Sequence, residues 1–171
     1  MWRGAAAVMA LIALSGCGGG GQWPKTAEEF RALDSPFLDR KSYAVQRSLA
    51  DANASLRTAT QKCLNGTQRS TSTLPAPFGG YTTESRVTLY SSTFNVVGGR
   101  GELTARKNYP PHSGVIGFPK DGAIFYVVST AAQGSGTALT IHRSKLAGSD
   151  LDAAVQEWAS GGPIRCPQLP G

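Results

Sequence analysis

Past its first twenty residues the chain has no long apolar run, and no later segment approaches the roughly 20 residues that a bilayer-spanning helix needs. It contains two histidines and no C-x-x-C pair, so it lacks the ligand spacing of an ordinary zinc site. There is no G-x-S-x-G elbow, no H-E-x-x-H, no G-x-x-x-x-G-K-[ST], and no G-x-G-x-x-G between a strand and a helix. Its 11 carboxylates are dispersed, which leaves little material for a calcium loop or a glycosidase pair. Neither a metal nor another cofactor is therefore expected, and the chain does not read as an enzyme. Cations outnumber anions 17 to 11, but Arg31, Arg47, Arg57, Arg69, Arg86, Arg100, Arg106 and Arg143 are scattered. A nucleic-acid footprint requires clustering, so no nucleic-acid partner is expected. Scattered positive charge suits solubility and weak attraction to anionic lipid or wall polymer.

What the chain does have is concentrated at its start. Arg3 precedes an apolar stretch, Ala5 to Leu14, which leads into Leu14-Ser15-Gly16-Cys17 and four glycines. At ten residues the stretch is too short to cross a membrane stably and reads as a cleaved signal. The arrangement resembles the lipobox of bacterial lipoproteins. That resemblance implies lipid on the Cys17 thiol, cleavage before it, and removal of residues 1–16. Two or more acyl chains hold a protein stably, since each buried methylene contributes about 0.8 kcal/mol. Gly18 stands where an aspartate would retain such a protein at the inner membrane, so the resemblance points to the periplasmic face of the outer membrane. Residues 17–25 then form the lipidated cysteine and a flexible tether with a reach of roughly 15 to 18 Å. For Trp23 two placements are open, at the lipid headgroups or packed on the domain.

Assigning Cys17 to lipid leaves Cys63 and Cys166, which can pair in an oxidising compartment. A bridge over about 100 residues would contribute roughly 4 to 5 kcal/mol on the chain-entropy model. Residues 26–171 suit a single domain. Thr26-Ala27-Glu28-Glu29 has the form of a capping box, predicting a short helix to about Leu33. Val45, Leu49, Ala52, Leu56, Ala59 and Cys63 recur in alternating steps of four and three, predicting one helix over 42–64 that stops at Asn65-Gly66. The Ser-, Thr-, Pro- and Gly-rich stretch 67–80 reads as a long loop.

Four strands are predicted, at 84–97, 102–107, 123–131 and 137–144, with turns at Val97-Gly98-Gly99-Arg100-Gly101 and Gln133-Gly134-Ser135-Gly136. In the first strand Val87 and Leu89 share one face and Phe94 and Val96 the other, so either a bulge near Ser91 or two partly covered faces is expected. A last helix begins at Ser149, with Asp152 as a capping partner and Leu151, Ala154, Val155 and Trp158 on one face. The order implies an α+β fold, a four-stranded antiparallel meander sheet with two helices packed on one face, broadly similar to helix-grip folds and small periplasmic lipoprotein domains.

His112, in the rigid loop Tyr109-Pro110-Pro111-His112-Ser113-Gly114, is with Tyr109 the candidate for a ligand or partner loop. His142 reads as plain surface. Asn53-Ala54-Ser55 and Asn65-Gly66-Thr67 match the glycosylation acceptor pattern and read as chance matches behind a bacterial signal. The leading expectation is a lipid-anchored envelope protein, non-enzymatic, that binds a periplasmic protein or the cell wall. The alternative is a small-molecule or lipid-binding module with a cavity between helices and sheet, lined by residues such as Leu49, Leu56, Phe125 and Val127.

Overall fold

The computed structural model describes residues 23–75, 77, 79–111, 113 and 117–169. The Thr26 hydroxyl accepts from the Glu29 amide at 3.1 Å, and the Glu29 carboxylate accepts from the amides of Thr26 and Lys25. This reciprocal cap starts α1, Ala27–Ala32. The chain next forms a strand, β1, Leu38–Val45, whose last four residues, 42–45, fall where the sequence pattern suggested helix. The step of four from Val45 to Leu49 crosses a junction instead of continuing a helical stripe. Ser48 caps a new helix there, accepting from the Asp51 amide at 3.2 Å.

That helix, α2, runs Leu49–Cys63 and buries Ala52, Leu56, Ala59 and Cys63 along the predicted stripe. Its end is held by Asn65, whose side-chain amide donates to the carbonyls of Thr60 and Gln61 at 3.3 Å each. Gly66–Pro75, expected as a loop, is strand β2. Four more strands follow: β3, Tyr81–Val97; β4, Arg100–Asn108; β5, Ala123–Gln133; and β6, Gly136–Ser144. The 3₁₀ turn Lys145–Ala147 then leads to α3, Ser149–Ala159.

The α+β class stands, but the four-stranded sheet with two helices on one face is replaced. Six antiparallel strands lie in the order β1-β6-β5-β4-β3-β2. The two strands missed in the sequence are its edges, so α2 carries the chain from one edge to the other. Fifteen residues rise about 22 Å. Five gaps between strands span about 24 Å, so one helix of this length is what the crossing requires. The helices also divide between faces. Helices α2 and α3 cover the inner face, over Leu103, Ala105, Tyr126, Val128, Leu139 and Ile141. Helix α1 lies on the outer face, where Ala27 and Phe30 pack on Ile124 and Val127.

Strand β5 is apolar in an unbroken run because it is covered on both sides. It also contains the bulge. Ala105 pairs with Tyr126 but Arg106 pairs with Ile124, so Phe125 is the extra residue and joins Tyr126 in the inner core. No bulge lies near Ser91, since β3 and β4 pair without interruption from Leu89 with Asn108 to Val97 with Arg100. Thr88, Tyr90, Ser92 and Phe94 point inward, while Leu89 and Val96 remain exposed. The two-residue loop Gly98-Gly99 closes that hairpin with φ of +58° and +77°, a backbone that β-carbons disfavour.

Candidate functional site

Cys17 and His112 lie outside the described residues. Cys63 and Cys166 are joined by a disulfide, with a Cα–Cα distance of 5.0 Å. The bridge fastens the end of α2 to the tail beyond α3. The Trp158 indole assists by donating to the Arg165 carbonyl at 3.2 Å. Tyr109 sits just past β4 with its ring edge-on to Phe118, 4.9 Å between centroids. Phe118 in turn meets Trp23 at 5.2 Å, and the Trp23 indole donates to the Gly117 carbonyl at 3.0 Å. Trp23 thus packs on the domain while its ring stays 46% exposed.

The four residues proposed to line a cavity do not surround a common space. Leu56 and Phe125 are buried in the inner core, Val127 belongs to the outer cluster under α1, and Leu49 is half-buried at the start of α2. His142 is not plain surface. It is half-buried on the outer face, and desolvation, followed by the nearby Arg40 and Arg31 charges, lowers its pKa.

Asp152 does not cap α3; Gly148 occupies the cap position, without a side-chain hydrogen bond. The carboxylate turns into the core, where the Tyr126 hydroxyl donates to it at 3.1 Å and the Lys41 ammonium donates at 3.1 Å. The Arg143 Nε lies 3.1 Å from the same carboxylate, at ion-pair distance but poorly aligned for a hydrogen bond. Arg143 also reaches Asp39 at 3.3 Å and the Gly148 carbonyl at 2.9 Å. Two carboxylates and two cations balance under α3. Burial, then the Asp152 charge, pushes the Tyr126 phenol far up and keeps it a neutral donor. With its charges matched, this group ties α3 to β1, β5 and β6.

One of several openings among the described residues lies further along the sheet. A groove of about 370 Å³ is formed by the end of α2, the start of β2, β3 and the tail, lined among others by Asn65, Gln68, Arg69, Tyr90 and Gln168. The disulfide forms one wall, through Cys63. Asn65 is already committed to the fold, its Oδ1 accepting from the Ser92 amide at 2.7 Å. Arg69 is exposed and forms no ion pair among the described residues. Tyr90 is buried, and desolvation aided by Tyr109 pushes its phenol up to about 12. Reading 67–80 as a loop concealed this groove. The sequence signal for it was the β-branched alternation Thr67, Thr71, Thr73.

Beyond the groove, β2 and β3 continue as a two-stranded arm. From Tyr81 to Val87, β3 pairs with β2 and has no β4 residue opposite it, a length of about 24 Å. Nearly every residue of the arm is exposed.

No family model matches the chain, and no curated protein matches it. Among solved structures, it is similar to protein CV1439 from Chromobacterium violaceum, at 15% identity over 73% of this chain and 92% of that one, with a TM-score of 0.37. It is also similar to Ara h 8.0201, at 6% identity over 72% of this chain and 95% of the other, with a TM-score of 0.35.

Proposed function

We propose that this protein is an envelope-anchored binding module that holds a small, polar, negatively charged molecule in the groove between α2, β2, β3 and the tail. The anchor is lipid on Cys17, which supplies attachment without demanding anything of the domain. One observation carries the binding reading: an open groove of about 370 Å³, within the usual range for ligand sites, has a free guanidinium at its rim and a buried phenol among its walls. The ligand site is thus the mouth of the grip. The space beneath α2 is occupied by fully buried Leu56, Leu103, Val128 and Leu139.

Native mass spectrometry of the purified protein against a panel of small carboxylates and phosphates tests this. Adduct formation that Arg69→Ala weakens at least tenfold is the expected result. An equal affinity for the Arg69→Ala protein, or no adduct with any panel member, refutes the groove.

A second reading has its own observation, the exposed arm. An edge strand with unpaired backbone groups is a template for strand addition, and β2 carries only Arg69 as a charge against it. A protein partner would then dock along β2. Photo-crosslinkers at Thr71 and Thr83, in intact cells, should trap one discrete adduct. A ladder of unrelated products at both positions counts against a partner.

A further inference from the structure

Strand register brings six strand ends to one end of the sheet, two of them, the end of β2 and the start of β3, on the arm that projects beyond it with Leu74 and Tyr81 exposed. Leu38 at the start of β1 pairs with Ser144 at the end of β6, and Lys107 near the end of β4 pairs with Ala123 at the start of β5. Arg143 pairs with Tyr126, which brings both pairs to the same end. The loop leading into β5 carries Gly117 and Phe118, and Trp23 is held against these two residues. Phe37 and Leu146 flank the Leu38 pairing, and the Lys145 amide donates to the Phe37 carbonyl at 2.9 Å. Large apolar side chains therefore meet water at this end: Phe37 is 74% exposed, Leu146 76% and Trp23 46%. An apolar-walled groove of about 360 Å³ continues along α1 past Trp23, Pro24, Ala32 and Leu33.

Exposed Lys25, Lys120 and Lys145 stand among these residues. The acids as near in sequence are Glu28, Glu29, Asp34 and Asp121, of which Glu29 is engaged in the helix cap. At the opposite end of the sheet the exposed apolar residues are Val96 and Val97, beside Arg100 and far from where the chain enters the domain. The chain enters at Trp23, six positions after Cys17.

We infer that this end of the domain is a bilayer-docking face, with Trp23, Phe37 and Leu146 entering the headgroup layer of an anionic phospholipid membrane and Lys25, Lys120 and Lys145 meeting its phosphates. Aromatic rings with one polar edge favour that layer, and each lysine near an anionic surface adds attraction that salt screens. The lipid anchor of the proposed function supplies the high local lipid concentration, and the face supplies orientation. The domain then stands on the membrane instead of swinging on its tether.

The test uses the protein as purified from membranes, carrying Trp2→Phe, mixed with vesicles of equal phosphatidylcholine and phosphatidylglycerol containing brominated acyl chains. Trp23 is then the responsive fluorophore, because Trp158 is fully buried. Bromine should quench Trp23 by at least half. The pair Phe37→Ser and Leu146→Ser should abolish most of that quenching, and Lys25→Glu with Lys145→Glu should reduce it in these vesicles but not in matched vesicles of phosphatidylcholine alone. Intact mass and co-sedimentation with the vesicles report the lipid anchor separately. Lipid-modified protein that sediments while Trp23 stays unquenched overturns the docking face and leaves the anchor standing. Unmodified protein that still shows the quenching removes the anchor and upholds the face, and unmodified, unquenched protein refutes both.

Discussion

Strand β5 is covered on both faces, by α2 and α3 inside and α1 outside, whereas β2 has water on both faces and along one edge. The two belong to one sheet and meet the same hydrogen-bond requirement, but burial separates them. In β5 the residues from Ala123 to Val128 are all buried, and each contributes transfer free energy of about 25 cal/mol per Å² of apolar surface removed from water. In β2 the side chains from Thr67 to Thr73 are Thr, Ser, Gln and Arg, and the apolar Leu74 and Pro75 at its end stay exposed. The difference is energetic: the covered half carries the burial that stabilises the domain, and the uncovered half adds little to it. A two-stranded ribbon is marginal in water on its own, so the arm depends on the covered half for its order.

Changes in the covered half should have large effects. Removing the shared acceptor with Asp152→Ala leaves Arg143 and the Tyr126 hydroxyl buried with too few partners, and should cost about 3–5 kcal/mol in urea unfolding. A loss under about 1 kcal/mol would mean that the group under α3 is mere packing. Replacing the bridge with Cys63→Ser and Cys166→Ser releases a loop spanning 103 residues, and about 4 kcal/mol should go with it. The tail wall of the groove is expected to loosen in the same protein, visible as faster amide exchange near Leu169.

Gly101→Ala probes a tight contact between α2 and the sheet. A β-carbon there would lie 2.5 Å from the Asn53 Oδ1 and 2.6 Å from the Thr130 Oγ1, which hydrogen-bond to each other at 2.7 Å. A loss of about 1–3 kcal/mol is expected from such overpacking. The acceptor-pattern residue Asn53 is buried within this contact, so its side chain is closed to modification.

His142 gives a smaller, pH-dependent effect. Because its folded pKa lies below the unfolded value of about 6.5, the unfolded chain binds more protons in the window between them. Stability from this group is full above the unfolded pKa and declines as pH falls toward the folded one. His142→Gln should flatten the difference in urea midpoint between pH 7 and pH 5; an unchanged slope would place the proton uptake elsewhere. Thr73→Ala in the arm should change stability by less than about 0.5 kcal/mol, since it is exposed on β2. A larger loss would mean that the arm is part of the cooperative core, and would erase the contrast between the two halves.

Several elements were legible before any coordinates because the signals are local. The Thr26 capping box, the stripe Ala52-Leu56-Ala59-Cys63, the Gly98-Gly99 turn and the buried face of Trp158 all depend on neighbours within a few residues. The failures have other causes. β1 is hidden because its partner is distant in sequence, Leu38 pairing with Ser144, whereas β2 pairs with the neighbouring β3 from Pro75 with Tyr81 to Gly66 with Tyr90 and is hidden by its polar side chains. Edge strands with polar side chains carry little of the apolar alternation from which strands are recognised. Asp152 was misplaced for the same reason as β1, since its position fits a helix cap but its partners lie on β1, β5 and β6. The candidate groove was hidden for the same reason as β2, one of its walls.

By itself the sequence determined the segments that carry their own punctuation and the pairing of Cys63 with Cys166. The tertiary structure alone decided which strands became edges, which face each helix covered, and where polar side chains were left facing an opening. The physical reason is range. Caps, turns and helical stripes are settled by interactions across one or two turns of chain, whereas edges and grooves exist only where surfaces from distant segments meet or fail to meet.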